Sequence, residues 1–264
     1  MHHPSFIDIE WCGREIRIEH VWLNSDKTDT PLLVFLHEGL GSVAMWKNYP
    51  QQLCDALGVQ GLVYSRPGYG QSTPREANEQ WQPDFMHRQA HEVLPALLKA
   101  LDVQQAPWLF GHSDGGSIAL LYATRYPVAG LIVLAPHIMV EDVSIQSIAQ
   151  AQRTYENTPF RERLAPYHAD VDSAFGGWSQ VWLNPNFRNW SIEEDINAIT
   201  CPVLAIQGLD DEYGTLAQIQ GIARRLPQAK LLTLPACGHS PHRDQPETLT
   251  QACFNFFTTN QPKH

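Results

Sequence analysis

A series of short, nearly continuous apolar runs separated by stretches of helical periodicity governs what this chain can fold into. Leu32-Leu33-Val34-Phe35-Leu36 is the first, and others follow at 62–64, 108–110, 131–135 and 203–206, with a last one at 231–234. A strand that is apolar at every position is buried on both faces, which happens in a parallel sheet covered by helices. Helix-like patterns fill the gaps at 46–57, 85–101, 116–125, 216–226 and 247–257, with Pro95 expected to kink the second. Strand–helix alternation requires right-handed crossovers and an open, doubly wound sheet. Before the first run, residues 6–22 alternate apolar and polar around a turn at Cys12-Gly13, the pattern of a β-hairpin. The expectation is an α/β fold: an eight-stranded, mostly parallel sheet flanked by helices.

One stretch breaks this rhythm. Residues 141–195 contain no buried-strand run, only helix-like segments carrying Tyr155, Phe160, Tyr167, Phe175, Trp178, Trp182, Phe187 and Trp190. A structureless loop of that length is improbable in a compact domain. The stretch reads as a helical lid inserted into a core formed by 1–140 and 196–264. Its aromatics either line a binding pocket or build the insertion's own small core.

Size and charge narrow the classes of function. At 264 residues the chain can bury one core plus an insertion, and is short for two full domains. A net charge of −10 leaves no basic stripe to replace phosphate counterions or to dock on anionic lipid. The N-terminus lacks a basic segment followed by an apolar run, and no window approaches a membrane span. The five cysteines are scattered and form no Cys-x-x-Cys pair, which fits reduced thiols in a cytoplasm.

The chemistry concentrates at Gly111-His112-Ser113-Asp114-Gly115-Gly116, between the run at 108–110 and a helix pattern. That is the setting of a nucleophile elbow, where a strained turn lifts a serine Oγ above the sheet and small neighbours let strand and helix approach. A serine hydroxyl needs a base. His239, in the loop leaving the last strand, lies at the carboxyl edge where open α/β sheets bind ligands. His242 competes, but it stands before Arg243-Asp244-Gln245-Pro246, the entry to the last helix. The third member follows the strand at 203–206, where Asp210, Asp211 and Glu212 all qualify by chemistry. One oxyanion donor is the Asp114 amide, and the second comes from the loop His37-Glu38-Gly39-Leu40-Gly41-Ser42.

These segments, with Ser65-Arg66-Pro67-Gly68-Tyr69-Gly70-Gln71-Ser72 and Gly238-His239-Ser240-Pro241-His242, span nearly the whole chain. Together they resemble the α/β-hydrolase superfamily in its lidded serine esterase, lactonase and aminopeptidase-like branch. The resemblance implies Asp211 as the triad acid, by the family's G-x-x-D pattern on Gly208 to Asp211. It implies the Gly39 amide, with Leu40 next, as the oxyanion donor. Glu38 stands where the family usually has glycine. Ser113 disfavours halide and epoxide chemistry, which use an aspartate nucleophile in that superfamily. Ser240 replaces the tryptophan common beside the catalytic histidine of carbon–carbon hydrolases.

The reading is a serine hydrolase cleaving a carboxylic ester of a small apolar or aromatic substrate through an acyl-enzyme. Ser113, Asp211 and His239 are its triad, and Gly39, Leu40 and Asp114 supply backbone donors. No metal, cofactor, nucleic-acid or membrane partner is expected. His37 and His112 are read as hydrogen-bonded structural residues, and Cys237 as a small buried one. Carbon–carbon hydrolysis and aminopeptidase action on the same triad are the nearest alternatives. A non-catalytic small-ligand binding protein is the reading from another class.

Overall fold

A computed structural model describes residues 4–76 and 78–261. The hairpin forms as β1 (Ser5–Trp11) and β2 (Arg14–Leu23), in antiparallel register from Ser5↔His20 to Trp11↔Arg14. Its two-residue turn has φ +54° at Cys12 and +73° at Gly13. Both central residues are left-handed, as the twist of a tight hairpin demands.

The apolar runs become β3 (Leu32–Leu36), β4 (Gln60–Tyr64), β5 (Trp108–His112), β6 (Gly130–Leu134), β7 (Val203–Gly208) and β8 (Lys230–Leu234). They form one sheet in the order β1-β2-β4-β3-β5-β6-β7-β8. β3 to β8 are mutually parallel, and β2 pairs antiparallel with β1 and β4. Every residue of β3, β5, β6 and β7 is buried. The last run differs. β8 is an edge strand, with Lys230, Leu231 and Thr233 exposed, because no strand among the described residues pairs beyond it. An apolar run therefore did not mean full burial at the end of the sheet.

The helices are α1 (Tyr49–Leu57), α2 (Phe85–Arg88), α3 (Leu94–Ala100), α4 (Asp114–Ala123), α5 (Asp142–Asn157), α6 (Phe160–Leu164), α7 (Val171–Trp182), α8 (Ala217–Arg225), α9 (Pro241–Asp244) and α10 (Pro246–Asn260). The expected helix at 46–57 is divided: a 3₁₀ turn at Ala44–Trp46 ends at Lys47, whose φ is +55°. Between α2 and α3 lies a π-helical turn, Gln89–Val93. Pro95 has no N–H to give the His91 carbonyl one turn back, so that ladder loosens just upstream. The Tyr126 hydroxyl donates to the His91 oxygen instead, at 3.0 Å.

Two apolar clusters cover the sheet. One packs α2, α3, α4 and the helices after β6 against Val34, Leu62, Leu109 and Leu131. The other packs α1 and α10 against Leu33, Val63, Phe110 and Ile132. Between β6 and β7 the chain runs through α5, α6 and α7, and its two ends meet. Val140 N–H donates to Trp190 O (3.2 Å) and Ile192 N–H to Ile138 O (2.8 Å). No helix among the described residues is long and apolar enough to cross a membrane.

The turn from β5 into α4 explains its glycines. A Cβ on Gly115 would lie 2.1 Å from the Leu36 carbonyl oxygen, and one on Gly111 2.3 Å from the Gly115 oxygen. Both contacts are with backbone, which has little room to give. On Gly116 the nearest atom is the Pro136 Cβ at 3.0 Å. Gly115→Ala is therefore expected to destabilise the fold by about 3 kcal/mol, and Gly116→Ala by about 1 kcal/mol or less. Urea unfolding of the two variants checks the difference.

Candidate active site

Ser113 sits at the tip of that turn with φ +53° and ψ −121°, a conformation that a non-glycine residue adopts only when its surroundings impose it. Backbone bonds hold it there: its N–H donates to Leu134 O (2.8 Å), and its carbonyl accepts from Gly116 N–H (2.8 Å) and Ser117 N–H (3.1 Å). The N–H of Asp114, first residue of α4, takes no protein acceptor among the described residues. Gly39 and Leu40 on the loop after β3 likewise keep their N–H groups free, whereas Gly41 turns back to Glu38 O at 3.0 Å.

Of the three acids that spacing leaves open, Asp211, the one the family resemblance implies, is brought to His239. His239 Nδ1 lies 2.8 Å from Asp211 Oδ1. The carboxylate also accepts from Tyr213 N–H (2.8 Å), Gly214 N–H (3.3 Å) and the Gln207 amide (2.8 Å). Burial pulls the Asp211 pKa upward, but the His239 hydrogen bond and charge, with the Tyr213 amide, hold it below the ordinary value. Asp210 is exposed, while the Glu212 carboxylate accepts from the His239 backbone N–H at 3.2 Å. With Nδ1–H given to Asp211, the His239 lone pair is on Nε2. No hydrogen bond joins Ser113 Oγ to the ring in this structure; such bonds often tighten only with substrate bound.

His242, the rival histidine, is packed against Trp46 and Tyr49 at ring separations of 4.8 and 5.8 Å. His112 donates Nε2–H to the His239 carbonyl at 2.7 Å, bracing the loop that carries His239. His37 is buried beneath the β3 loop. Its Nε2 accepts from Arg66 N–H (3.0 Å), so Nδ1–H donates to Glu38 O (2.7 Å). Both make the hydrogen bonds expected of structural histidines. Cys237 is buried, as expected of a small core residue.

Several contributors carried no role in the sequence reading. Arg66, fully buried, donates to the Glu38 carbonyl at 2.8 Å and faces Asp114 Oδ2 at 3.9 Å. It thus contacts both strands of chain that supply the free N–H groups. Asp114 also accepts from Trp182 Nε1 (3.2 Å); burial raises its pKa despite Arg66 and Trp182. Trp178 fills the space over Gly39, where a Cβ would meet its Nε1 at 2.2 Å. Gln207 had one available signal: an amide ending an otherwise apolar strand.

Ser113, His239, Gly39, Leu40 and Asp114 all line one cavity of about 700 Å³. Of the eight aromatics between 141 and 195, Phe160, Tyr167, Trp178 and Trp182 line it as well. The other four pack elsewhere: Tyr155 stacks on Phe175 at 3.8 Å within the segment, while Phe187 and Trp190, stacked at 5.2 Å, also meet Phe85 and His87 of α2.

Three histidines around the site are buried and neutral. Burial, reinforced by neighbouring positive charge, lowers His137 and His242 to about 3 and carries His37 well below its ordinary value. An unfolded chain binds these protons near pH 6.5. Below that pH, down to about 3, the unfolded state holds more protons, so stability falls as pH falls. His137 and His242 are each expected to remove about 2 kcal/mol between pH 6.5 and 5. Urea unfolding at pH 7.5 and 5.0 measures the loss, and His242→Phe should shrink it.

Comparison with known proteins gives a consistent frame. The bifunctional esterase/perhydrolase DCH of Acinetobacter calcoaceticus is 26% identical over 285 aligned positions, covering 94% of each chain. The 2-hydroxy-6-oxo-6-phenylhexa-2,4-dienoate hydrolase of Burkholderia cepacia is 22% identical, covering 85% of this chain and 86% of its own. The structure of a thermophilic esterase from Thermogutta terrifontis superimposes with a TM-score of 0.76 at 19% identity, over 98% of this chain and 100% of that one. The model of the alpha/beta hydrolase family matches residues 33–252. With the sheet order and the turn at Ser113, that match establishes that the chain belongs to the alpha/beta hydrolase family.

Proposed function

We propose that this protein is a serine hydrolase that cleaves a carboxylic ester of a small apolar or aromatic substrate through an acyl-enzyme. The observation that carries the reading is the Asp211–His239 hydrogen bond of 2.8 Å, in the cavity that also exposes the strained Ser113. His239 Nε2 takes the Ser113 proton as Oγ attacks the carbonyl carbon, and Asp211 stabilises the imidazolium. The N–H groups of Asp114 and Gly39, with Leu40 adjacent, receive the oxyanion. The intermediate collapses to the acyl-enzyme, and the leaving alkoxide takes the proton from His239. Water, deprotonated by His239, then releases the acid and restores Ser113.

The helices between β6 and β7 act as a lid in this reading, since Trp178 and Trp182 form its apolar wall over the nucleophile. The esterase relative supports ester cleavage. Ser240, following His239, weighs against the carbon–carbon chemistry of the dienoate hydrolase. The test is a panel of p-nitrophenyl esters, a dienoate ring-cleavage product and an aminoacyl anilide, alongside fluorophosphonate labelling located by mass spectrometry. Ester turnover with the label on Ser113 is the expected result. Turnover of the dienoate or anilide alone, or an unlabelled Ser113, would overturn it.

A further inference from the structure

We infer that the ester taken by this site carries an anionic group, a carboxylate or a phosphate, remote from its scissile carbonyl. Lys47, Arg163 and Arg243 hold that group at the cavity rim. The inference rests on the serine-hydrolase reading above and adds the substrate's charge to it.

The three cations line the catalytic cavity, and all three are exposed, which puts them at its opening. They come from separate places in the fold: the loop before α1, α6 of the segment between β6 and β7, and α9 just past His239. None has an acidic partner among the described residues. Lys47 donates to the Tyr167 hydroxyl at 2.7 Å, Arg163 lies 5.7 Å over the Phe160 ring, and Arg243 has no side-chain bond. Several arginines elsewhere do have acidic partners, though Arg125 and Arg153 do not among the described residues. Arg161, two residues from Arg163, meets Asp172, and Arg224 and Arg225 meet Glu193 and Glu194.

The acids lining the cavity are already engaged. Glu38 faces His112 at 3.6 Å, Asp114 accepts from Trp182, and Glu212 accepts from the His239 N–H. In a chain with 28 acidic residues against 18 Lys and Arg, the general field repels anions. Three cations without acidic partners at one apolar-walled opening offset that field locally, and attract an anion toward the cavity that holds Ser113. An apolar wall below a cationic rim fits an ester with an apolar body and a charged far end.

The test uses phenyl acetates carrying a para carbamoylmethyl, carboxymethyl or phosphonomethyl group, and phenyl adipate beside phenyl adipamate for charge on the acyl side. At low salt the full-length protein is expected to prefer an anionic ester over its neutral partner by about tenfold in kcat/KM. Salt should erode the preference, because exposed charges are screened. Arg163→Gln combined with Arg243→Gln should lower the anionic-to-neutral ratio about tenfold, and the double lysine variant should retain most of it. The two phenyl series and the phosphonate arm identify which anion, and which end, is held.

Binding of the matching uncleavable ethers to Ser113→Ala, followed by calorimetry, reads the anion site without turnover. Tighter binding of the charged ether, lost in the double glutamine variant, supports the inference. Equal binding of charged and neutral ethers overturns it, even if every ester is hydrolysed. Failure of all ester turnover with charge-selective ether binding would count against the hydrolase reading alone.

Discussion

Replacing Asp211 by asparagine is expected to lower kcat by about 10⁴-fold at neutral pH. The reason lies in what surrounds the carboxylate. The Tyr213 and Gly214 N–H groups, the Gln207 amide and His239 Nδ1–H all donate to it. An ionised carboxylate accepts all four; an asparagine amide has one accepting oxygen and turns an NH₂ toward groups that are themselves donors. With its NH₂ at the Oδ2 position the side chain sets donor against donor at Gln207, and with its NH₂ at the Oδ1 position it drives His239 to the tautomer with its proton on Nε2. In that tautomer the ring cannot accept the Ser113 proton. The loss should fall on kcat for a p-nitrophenyl ester with KM little changed, since the substrate wall is untouched. Stability should also drop, by about 2 kcal/mol, through the unpaired donor. A variant with near-native kcat would remove Asp211 from the mechanism.

Ser113→Ala is expected to abolish measurable ester turnover, a fall of about 10⁴-fold or more, and to eliminate fluorophosphonate labelling. Only Oγ is removed, so substrate binding should persist. The backbone at 113 stays strained for alanine as for serine, because neither has glycine's freedom at φ +53°. The melting temperature should therefore change little. That combination separates loss of a nucleophile from loss of a fold. Retention of full activity would sink the assignment of Ser113, whatever happened to binding.

Much of this was legible from local pattern. Continuous apolar runs separated by amphipathic periods can satisfy their backbone and bury both faces only in a covered parallel sheet. Gly111 precedes Ser113 because strand and helix meet there at backbone contact, a constraint written within five residues, whereas Gly115 answers to the distant Leu36 carbonyl of β3. Boundaries were less legible where a local breaker acted through distant partners. The π-helical turn before Pro95 depends on Tyr126 to cap the freed His91 carbonyl. The exposure of β8 depends on its place at the end of the sheet order, which its own sequence does not encode.

The turn holding Ser113 shows the division most clearly. Local sequence alone places a serine on a glycine-flanked turn between a buried strand and a helix, since that signal is short-range. The tertiary structure decided which acid meets His239, because Asp210, Asp211 and Glu212 are chemically alike and differ only in where the loop after β7 points them. It also decided that Arg66 lies between the two segments with free N–H groups, and that Trp178 covers Gly39. These contacts join residues far apart in the chain, through packing that no local spacing records. Side-chain chemistry can be read one residue at a time, whereas the geometry that makes it reactive exists only once the sheet has assembled.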